Sequence, residues 1–584
     1  MTSIFRVIKK FKVLLSEHQR IRILELAIMM IIGGFLDTLS VSLILPFMSA
    51  VMKSDELLDN KYVMLVCKVL KIESSTVFLI YLSILLAIVY VLKNIYLIFE
   101  YNIQYKFVFG NMLDMQKKLL QSFMSRPYEY FLNINSGEIL RIITSDTTEA
   151  FNLLITILTI MTELVVSAML IISILFIAPL VTISMVVLLI GLLLIIYFFI
   201  KPVLRRASLN RQSSSAEMNK WLIQSIQGIK EIKVMNKEYF FRHNYEHYGN
   251  IYVNALRNNS ILGITPRFMI EGVSMGAFFI VTAVLIIFGV KLENIIPMLT
   301  AVALAATRLL PAINRISNCL AQIAYGEPMV DKVIENMTYL SSIEVHHNNL
   351  HNNQYDTVND DFKDKIELKN IFYHYPNTNK NVLDGASICI PKGKTIGIIG
   401  ASGSGKTTSV DILLGLLIPQ SGSVFVDGKN IFNDLTKWHC RIGYIPQMIF
   451  MLDDTLLNNV AFGEDPEKID REEVMRSIKE ASLEGLVADL PEGLDTQIGE
   501  RGVRLSGGQR QRIGIARALY HNPEILIFDE ATSALDNDTE AEIIKSINSL
   551  KGTKTMIIIA HRMTTIESCD IVYRVESGNI ERVQ

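Results

Sequence analysis

Residues 394–408 read KTIGIIGASGSGKTT. The run of isoleucines before Gly400 predicts a buried strand. The next eight positions, Gly400, Ala401, Ser402, Gly403, Ser404, Gly405, Lys406 and Thr407, fit the GxxxxGK[ST] spacing of a phosphate-binding P-loop. Backbone N–H groups of such a loop point inward, and the helix that opens near Thr408 presents its positive end, so phosphate is favoured there. Lys406 is placed to reach terminal phosphates and Thr407 to hold Mg2+. Strand, glycine-rich turn and helix together make the surrounding chain an α/β P-loop fold.

A second strand downstream, EILIFDE, ends in Asp529 and Glu530. Four apolar residues before the acids place both carboxylates at the carboxyl edge of a buried sheet, where ligands of α/β folds bind. Asp529 suits Mg2+ coordination, and Glu530 is placed to polarise an attacking water. Between these motifs, Leu505–Gln509 reads LSGGQ and opens a helical run, so Ser506, Gly507, Gly508 and Gln509 offer a second anion site at a helix N-terminus.

LSGGQ resembles the signature of ATP-binding-cassette (ABC) proteins. Tyr375 in FYHYP, Gln447 in YIPQ, SALD at Ser533–Asp536 and His561 in IIIAHR follow in that family's order. The resemblance covers the chain from about residue 366 to its end. It implies that Tyr375 stacks on adenine and that Thr408, Gln447 and Asp536 belong to the ATP site. It further implies that Thr407, Gln447 and Asp529 serve the metal, and that Glu530, His561 and Lys406 carry hydrolysis. In the family the signature of one subunit meets the phosphate held by the P-loop of another, which implies a dimer. With Lys406, Glu530, His561 and the signature intact, a homodimer is expected.

Upstream the character changes. The chain of 584 residues is half hydrophobic, with a formal charge of −2, and the apolar residues concentrate in the first 320. Runs near 23–50, 76–99, 154–178, 180–200, 268–290 and 295–318 reach the ~20 residues that a bilayer requires. Arg6, Lys9, Lys10 and Lys12 before the first run, and Lys201, Arg205, Arg206 and Arg211 after the fourth, assign those ends to the cytoplasm. The first run is expected to be a span rather than a cleaved signal.

The expected architecture is a multi-domain chain. An all-α six-helix transmembrane domain occupies 1–335, a polar linker 336–362, and an α/β P-loop ATP-binding cassette 363–584. One membrane domain followed by one cassette is the half-transporter layout of ABC exporters. The charged internal segments 128–151 and 219–241 resemble their cytoplasmic extensions. A near-neutral charge argues against a nucleic-acid binder. Cys67, Cys319, Cys389, Cys440 and Cys569 show no CxxC pair, and His346, His347 and His351 lack metal-site spacing.

Arg308 and Arg315 lie in the last span, and Arg267 near the inner end of the fifth, where charged side chains are expensive. Arginine donates two parallel hydrogen bonds to phosphate. RLLPAINR, with TPRFMIEG at 265–272, resembles the exporter subgroup that flips lipid-linked oligosaccharides (PglK-like flippases). That implies a polyprenyl-pyrophosphate-linked oligosaccharide as substrate and the three arginines as its contacts. A structural alternative pairs Arg308 with Asp37 or Glu163, and Arg267 with Glu271. The functional alternatives are an exporter of drugs, lipids or peptides, and an ATP-gated membrane regulator without cargo. A bacterial inner membrane, with both termini and the cassette cytoplasmic, is expected.

Overall fold

The computed structural model describes residues 2–43, 74–134, 136–175, 213–287, 311–323, 325–337, 362–376, 380–499, 505–530, 547–559 and 566–584, with isolated positions between them. The chain divides into two compact units. One comprises residues 1–126 and 134–348, and the other 127–133 and 349–584.

The first unit is helical. Its principal described helices are α1 (Thr2–Leu14), α2 (Glu17–Ser42), α3 (Ser75–Met124), α4 (Thr147–Leu175) and α5 (Glu238–Ile287). Among the described residues, three windows, Glu17–Ser40, Thr76–Met124 and Gly137–Met169, are long and apolar enough to cross a membrane. The described parts of the first three expected spans fall in α2, α3 and α4, and the described part of the fifth in the carboxyl end of α5, outside those three windows. The expected span 180–200 and most of 295–318 lie outside the described residues. α3 and α5 each run 50 residues, about 75 Å at 1.5 Å per residue. That is more than twice the ~30 Å hydrocarbon core, so each helix must continue well beyond the bilayer.

Adjacent glycines let α2 pack closely. A Cβ on Gly33 would meet the Glu100 carboxylate of α3 at 2.3 Å, and one on Gly34 would meet Val165 and Val166 of α4 at 3.2 Å. Small residues at such contacts bring helix backbones together where no hydrophobic force drives association. Val7 and Phe11 of α1, Met30 of α2, Leu119 of α3, and Phe151 and Leu158 of α4 form one buried cluster with Ile323 and Val330.

The second unit is α/β. A four-stranded sheet has the order β2-β1-β4-β5, formed by Lys365–Tyr373 (β1), Leu383–Pro391 (β2), Ser421–Val426 (β4) and Lys429–Asn430 (β5). A six-stranded sheet has the order β10-β9-β3-β8-β7-β6. Its strands are Thr395–Gly400 (β3), Ile442–Ile445 (β6), Ile525–Asp529 (β7), Thr555–Ile559 (β8), Ile571–Glu576 (β9) and Asn579–Arg582 (β10). β7 and β8 are buried along their whole length, as expected of parallel strands covered on both faces. One face packs with Ile366, Leu383 and Trp438, and the other with Leu456, Ile478 and Ile513.

Candidate nucleotide site

β3, β8, β7 and β6 run parallel, pairing Ile398 with Ile559, Asp529 with Ile559, and Ile445 with Phe528. Their carboxyl ends therefore share one edge of the sheet. The P-loop leaves β3 there, Asp529 ends β7, and Gln447 lies two residues past β6. His561 lies two residues past β8, outside the described residues, as does Asp536.

The P-loop turns at Gly403 and Gly405, whose φ values are +77° and +107°, a region open to glycine at little steric cost. Gly405 is also crowded: a Cβ there would lie 3.0 Å from the Val382 carbonyl oxygen. The loop feeds α6 (Lys406–Leu413). Lys406 is buried, and its Nζ donates to the carbonyls of Gly400 and Ala401, both at 3.0 Å. Its ammonium thus rests on its own loop. Thr407 is exposed and Thr408 buried.

Ser404 Oγ and Asp529 Oδ1 are buried with no hydrogen-bond partner. Leaving such atoms unmatched is costly, so each is an opening for a ligand. A carboxylate oxygen suits a hard divalent cation, and a hydroxyl beside inward-facing amides suits phosphate. The residues present therefore fit a nucleoside triphosphate with Mg2+. Among the described residues no group of three or more His, Cys, Asp or Glu forms a metal cage. Mg2+ bound mainly through substrate phosphates needs none.

Gln447 Nε2 donates to Glu530 Oε2 at 2.8 Å, so two of the expected site residues meet directly. Glu530 has φ +48°, rare for a residue with a side chain and a form of strain that collects at functional sites. Asp529 is held above the usual carboxylate range by burial, with the Glu530 charge adding.

Three sets of residue contacts here were not anticipated from sequence. Asp411 on α6 is pushed up to about 6 by burial, with the Asp529 charge adding. The Tyr444 hydroxyl is raised by burial and by Asp529 and Asp411. The second unit also takes in the short upstream helix Tyr128–Asn133. Buried Tyr373 donates its hydroxyl to Glu129 Oε1 at 2.9 Å. Tyr375 stands edge-on to Tyr373, with its hydroxyl 3.1 Å from Thr408 Oγ1, which sets its ring beside the P-loop helix. The sequence cue to the Tyr128 helix was the likeness of 128–151 to the cytoplasmic extensions of exporters, which named no individual residue.

Ser506 caps α7 (Gly507–Leu519) in a reciprocal box: Gln509 N–H donates to Ser506 Oγ, and Ser506 N–H to Gln509 Oε1. Ser506 and Gly507 remain exposed while Gly508 is buried. Ser506 and Gln509 thus define the helix N-terminus as well as standing at it. At the other end of α7, Arg517 donates to the Asn459 and Phe450 carbonyls, both at 2.8 Å.

In the helical unit the expected arginines separate. Arg315 pairs with Glu163, Nε with Oε1 and Nη2 with Oε2 at 3.1 Å. Lys93 pairs with Asp37. Arg308 lies outside the described residues. Arg315 is a paired cation rather than a free phosphate ligand, because a carboxylate already occupies its fork. Arg267 is exposed, and no ion pair joins it to Glu271 among the described residues.

Two family models match the chain: ABC transporter transmembrane region over residues 21–307, and ABC transporter over 383–533. An ATP-dependent lipid A-core flippase of Saccharophagus degradans is 42% identical over 219 residues, 37% of each chain. One from Haemophilus influenzae is 39% identical over 219 residues, again 37% of each chain. ABC transporter B family member 21 of Arabidopsis thaliana is 33% identical over 271 residues, 46% of this chain and 20% of that one. The matched stretch spans just over a third of the length of the flippases. The solved structure of a bacterial Atm1-family ABC exporter with ATP bound superposes with a TM-score of 0.70, covering 97% of this chain and 95% of that one at 20% identity. That likeness establishes the exporter fold.

Proposed function

From the premise that this chain belongs to the ABC transporters, with a transmembrane region and a cassette in one polypeptide, we propose that it hydrolyses ATP to move an amphipathic lipid across the membrane. The observation that carries the reading is the shared sheet edge where the P-loop, Asp529, Glu530 and Gln447 converge.

Each residue at that edge has a physical part. P-loop amides and Lys406 hold phosphate, for which Lys406 exchanges its two loop carbonyls. Asp529 Oδ1 and Thr407 would hold Mg2+, which would supply charge neutralisation on the phosphates. Glu530 takes the proton of the attacking water, and Gln447 orients Glu530 through their 2.8 Å contact. Ser506, at the exposed end of α7, receives the phosphate of a partner subunit, so the working unit is a homodimer with two equivalent sites.

The substrate class is a lipid with an anionic head. Relatives that are lipid A-core flippases support a lipid cargo. Within that class we assign a polyprenyl-pyrophosphate-linked oligosaccharide, on the likeness of the RLLPAINR segment, with its Arg308, to the flippases of lipid-linked oligosaccharides. A lipid A-core cargo is the second reading, favoured by those relatives. The basic residues around the spans support a cytoplasmic cassette, and the bacterial flippase relatives support an inner-membrane location. Proteoliposomes loaded with each lipid in turn discriminate: ATP-dependent translocation of the pyrophosphate glycolipid alone supports the assignment. Translocation of lipid A-core alone replaces it.

A further inference from the structure

The first 25 residues hold six basic side chains (Arg6, Lys9, Lys10, Lys12, Arg20, Arg22) and two acids (Glu17, Glu25), a net of +4. The fold uses three of the cations internally. Lys10 reaches Glu327 and Asp331, at 3.2 and 2.6 Å, and Arg6 lies 3.6 Å from Glu327. Arg20 caps α1 from outside, donating to the Leu15 carbonyl at 3.0 Å and to the Lys12 carbonyl. Lys9, Lys12 and Arg22 are exposed and have no hydrogen bond or ion pair among the described residues.

Two further observations give these three cations a setting. The apolar side of α1 is consumed: Val7, Phe11 and Leu14 are buried in the helical unit. Lys9 and Lys12, three apart on one side of the helix, therefore face outward by construction. Immediately after them an exposed apolar stripe begins at Ile21 (60%) and Leu24 (66%), continuing through Ile28, Ile31 and Phe35 along one side of α2. A stripe of that kind on a membrane-spanning helix faces acyl chains, so the cations stand where that stripe starts. Lysine and arginine stems reach along such a boundary and keep their charge at the headgroups.

We propose that Lys9, Lys12 and Arg22 form a docking surface for anionic phospholipid headgroups of the cytoplasmic leaflet, anchoring the amino end of the first span. Positive charge and lipid phosphodiester are complementary, and the stripe continues the surface into the acyl region. Each basic residue near an anionic leaflet gains about fivefold in association, and salt screens that gain. This rests on reading α2 as a membrane span with its amino end cytoplasmic, but not on the identity of the cargo.

The test uses the full chain with its five native cysteines replaced and a fluorophore on Val13→Cys, beside the proposed surface. It is reconstituted in phosphatidylcholine vesicles carrying nitroxide-labelled phosphatidylglycerol or nitroxide-labelled phosphatidylcholine. Quenching several-fold stronger with the glycerol lipid, lost at high salt and in the Lys9→Gln/Lys12→Gln/Arg22→Gln triple variant, is the expected result. Lys9→Arg/Lys12→Arg retains the preference, which separates charge from folding. Equal quenching by the two lipids, or a preference that survives the triple variant, overturns the proposal. The readout needs neither ATP nor glycolipid, so a protein that binds lipid here but fails to flip counts against the transport reading alone.

Discussion

Arg315 and Glu163 meet through two parallel contacts, Nη2 to Oε2 at 3.1 Å beside Nε to Oε1. The fork that recommends arginine for a phosphate is filled by a carboxylate of α4. The Glu163 side chain is 12% exposed and that of Arg315 55%, so the acid is the partner that depends on the pair. An unpaired carboxylate at that depth is far more costly than an unpaired guanidinium able to reach solvent.

Removing either partner is therefore asymmetric. Arg315→Gln is expected to destabilise the helical unit by about 1–3 kcal/mol, below the full loss for a buried pair because one partner is half exposed. Glu163→Gln is expected to be milder, and the double variant to be more stable than the sum of the singles predicts. Thermal unfolding of the purified chain measures all three. Strict additivity contradicts a direct pair.

Glu530→Gln keeps the shape of the side chain and its place beside Gln447 but removes the proposed base. ATP binding is expected to persist while hydrolysis falls by about 100-fold or more. Radiolabelled ATP binding and phosphate release, measured on one preparation, separate the two. Near-normal turnover assigns the base elsewhere.

Asp411 gives a pH signature. Its folded pKa of about 6 lies above the ordinary 3.8, so between roughly pH 4 and 6 the folded state binds the extra proton. The stability this group contributes is present at the acid end of that window and lost as pH rises through about 6. Asp411→Asn, which cannot charge, is expected to gain about 1–2 kcal/mol over wild type at pH 7.5, after discounting for partial exposure. That gain should vanish near pH 4. Melting curves of the metal-free chain across this range test it, and a constant offset between the two proteins would reject it.

Arg517 ties the far end of the signature helix to the carbonyls of Asn459 and Phe450. Burial brings its pKa down to about 10. Arg517→Ala strands two carbonyls and leaves a void, an expected loss of about 2–4 kcal/mol. Arg517→Lys, with no planar fork, is expected to recover less than half of it. Denaturant titration of the full chain reads both.

The convergence of the P-loop, Asp529 and Gln447 on one sheet edge was legible because each motif is written in a contiguous string. A P-loop needs its glycines and lysine within eight residues, and Asp529 and Glu530 announce themselves by the apolar strand they end. Pairings between distant residues are not written that way. Nothing in RLLPAINR tells Arg315 that Glu163, 152 positions earlier, will fill its fork. Nothing in YEYF tells Glu129 that the Tyr373 hydroxyl awaits it. The resting contact of Lys406 with its own loop and the reciprocal cap of Ser506 and Gln509 were hidden for a different reason. Motif reading assigns those side chains to a ligand, whereas without one the fold must satisfy them internally.

The most direct test of the account is translocation by the purified chain in proteoliposomes containing a polyprenyl-pyrophosphate oligosaccharide, with ATP and Mg2+, beside Glu530→Gln. The account predicts that the glycolipid crosses only with ATP and the wild-type chain, and that Arg308→Ala loses transport while retaining ATP hydrolysis. Hydrolysis by the wild-type chain with no movement of any anionic lipid would contradict it.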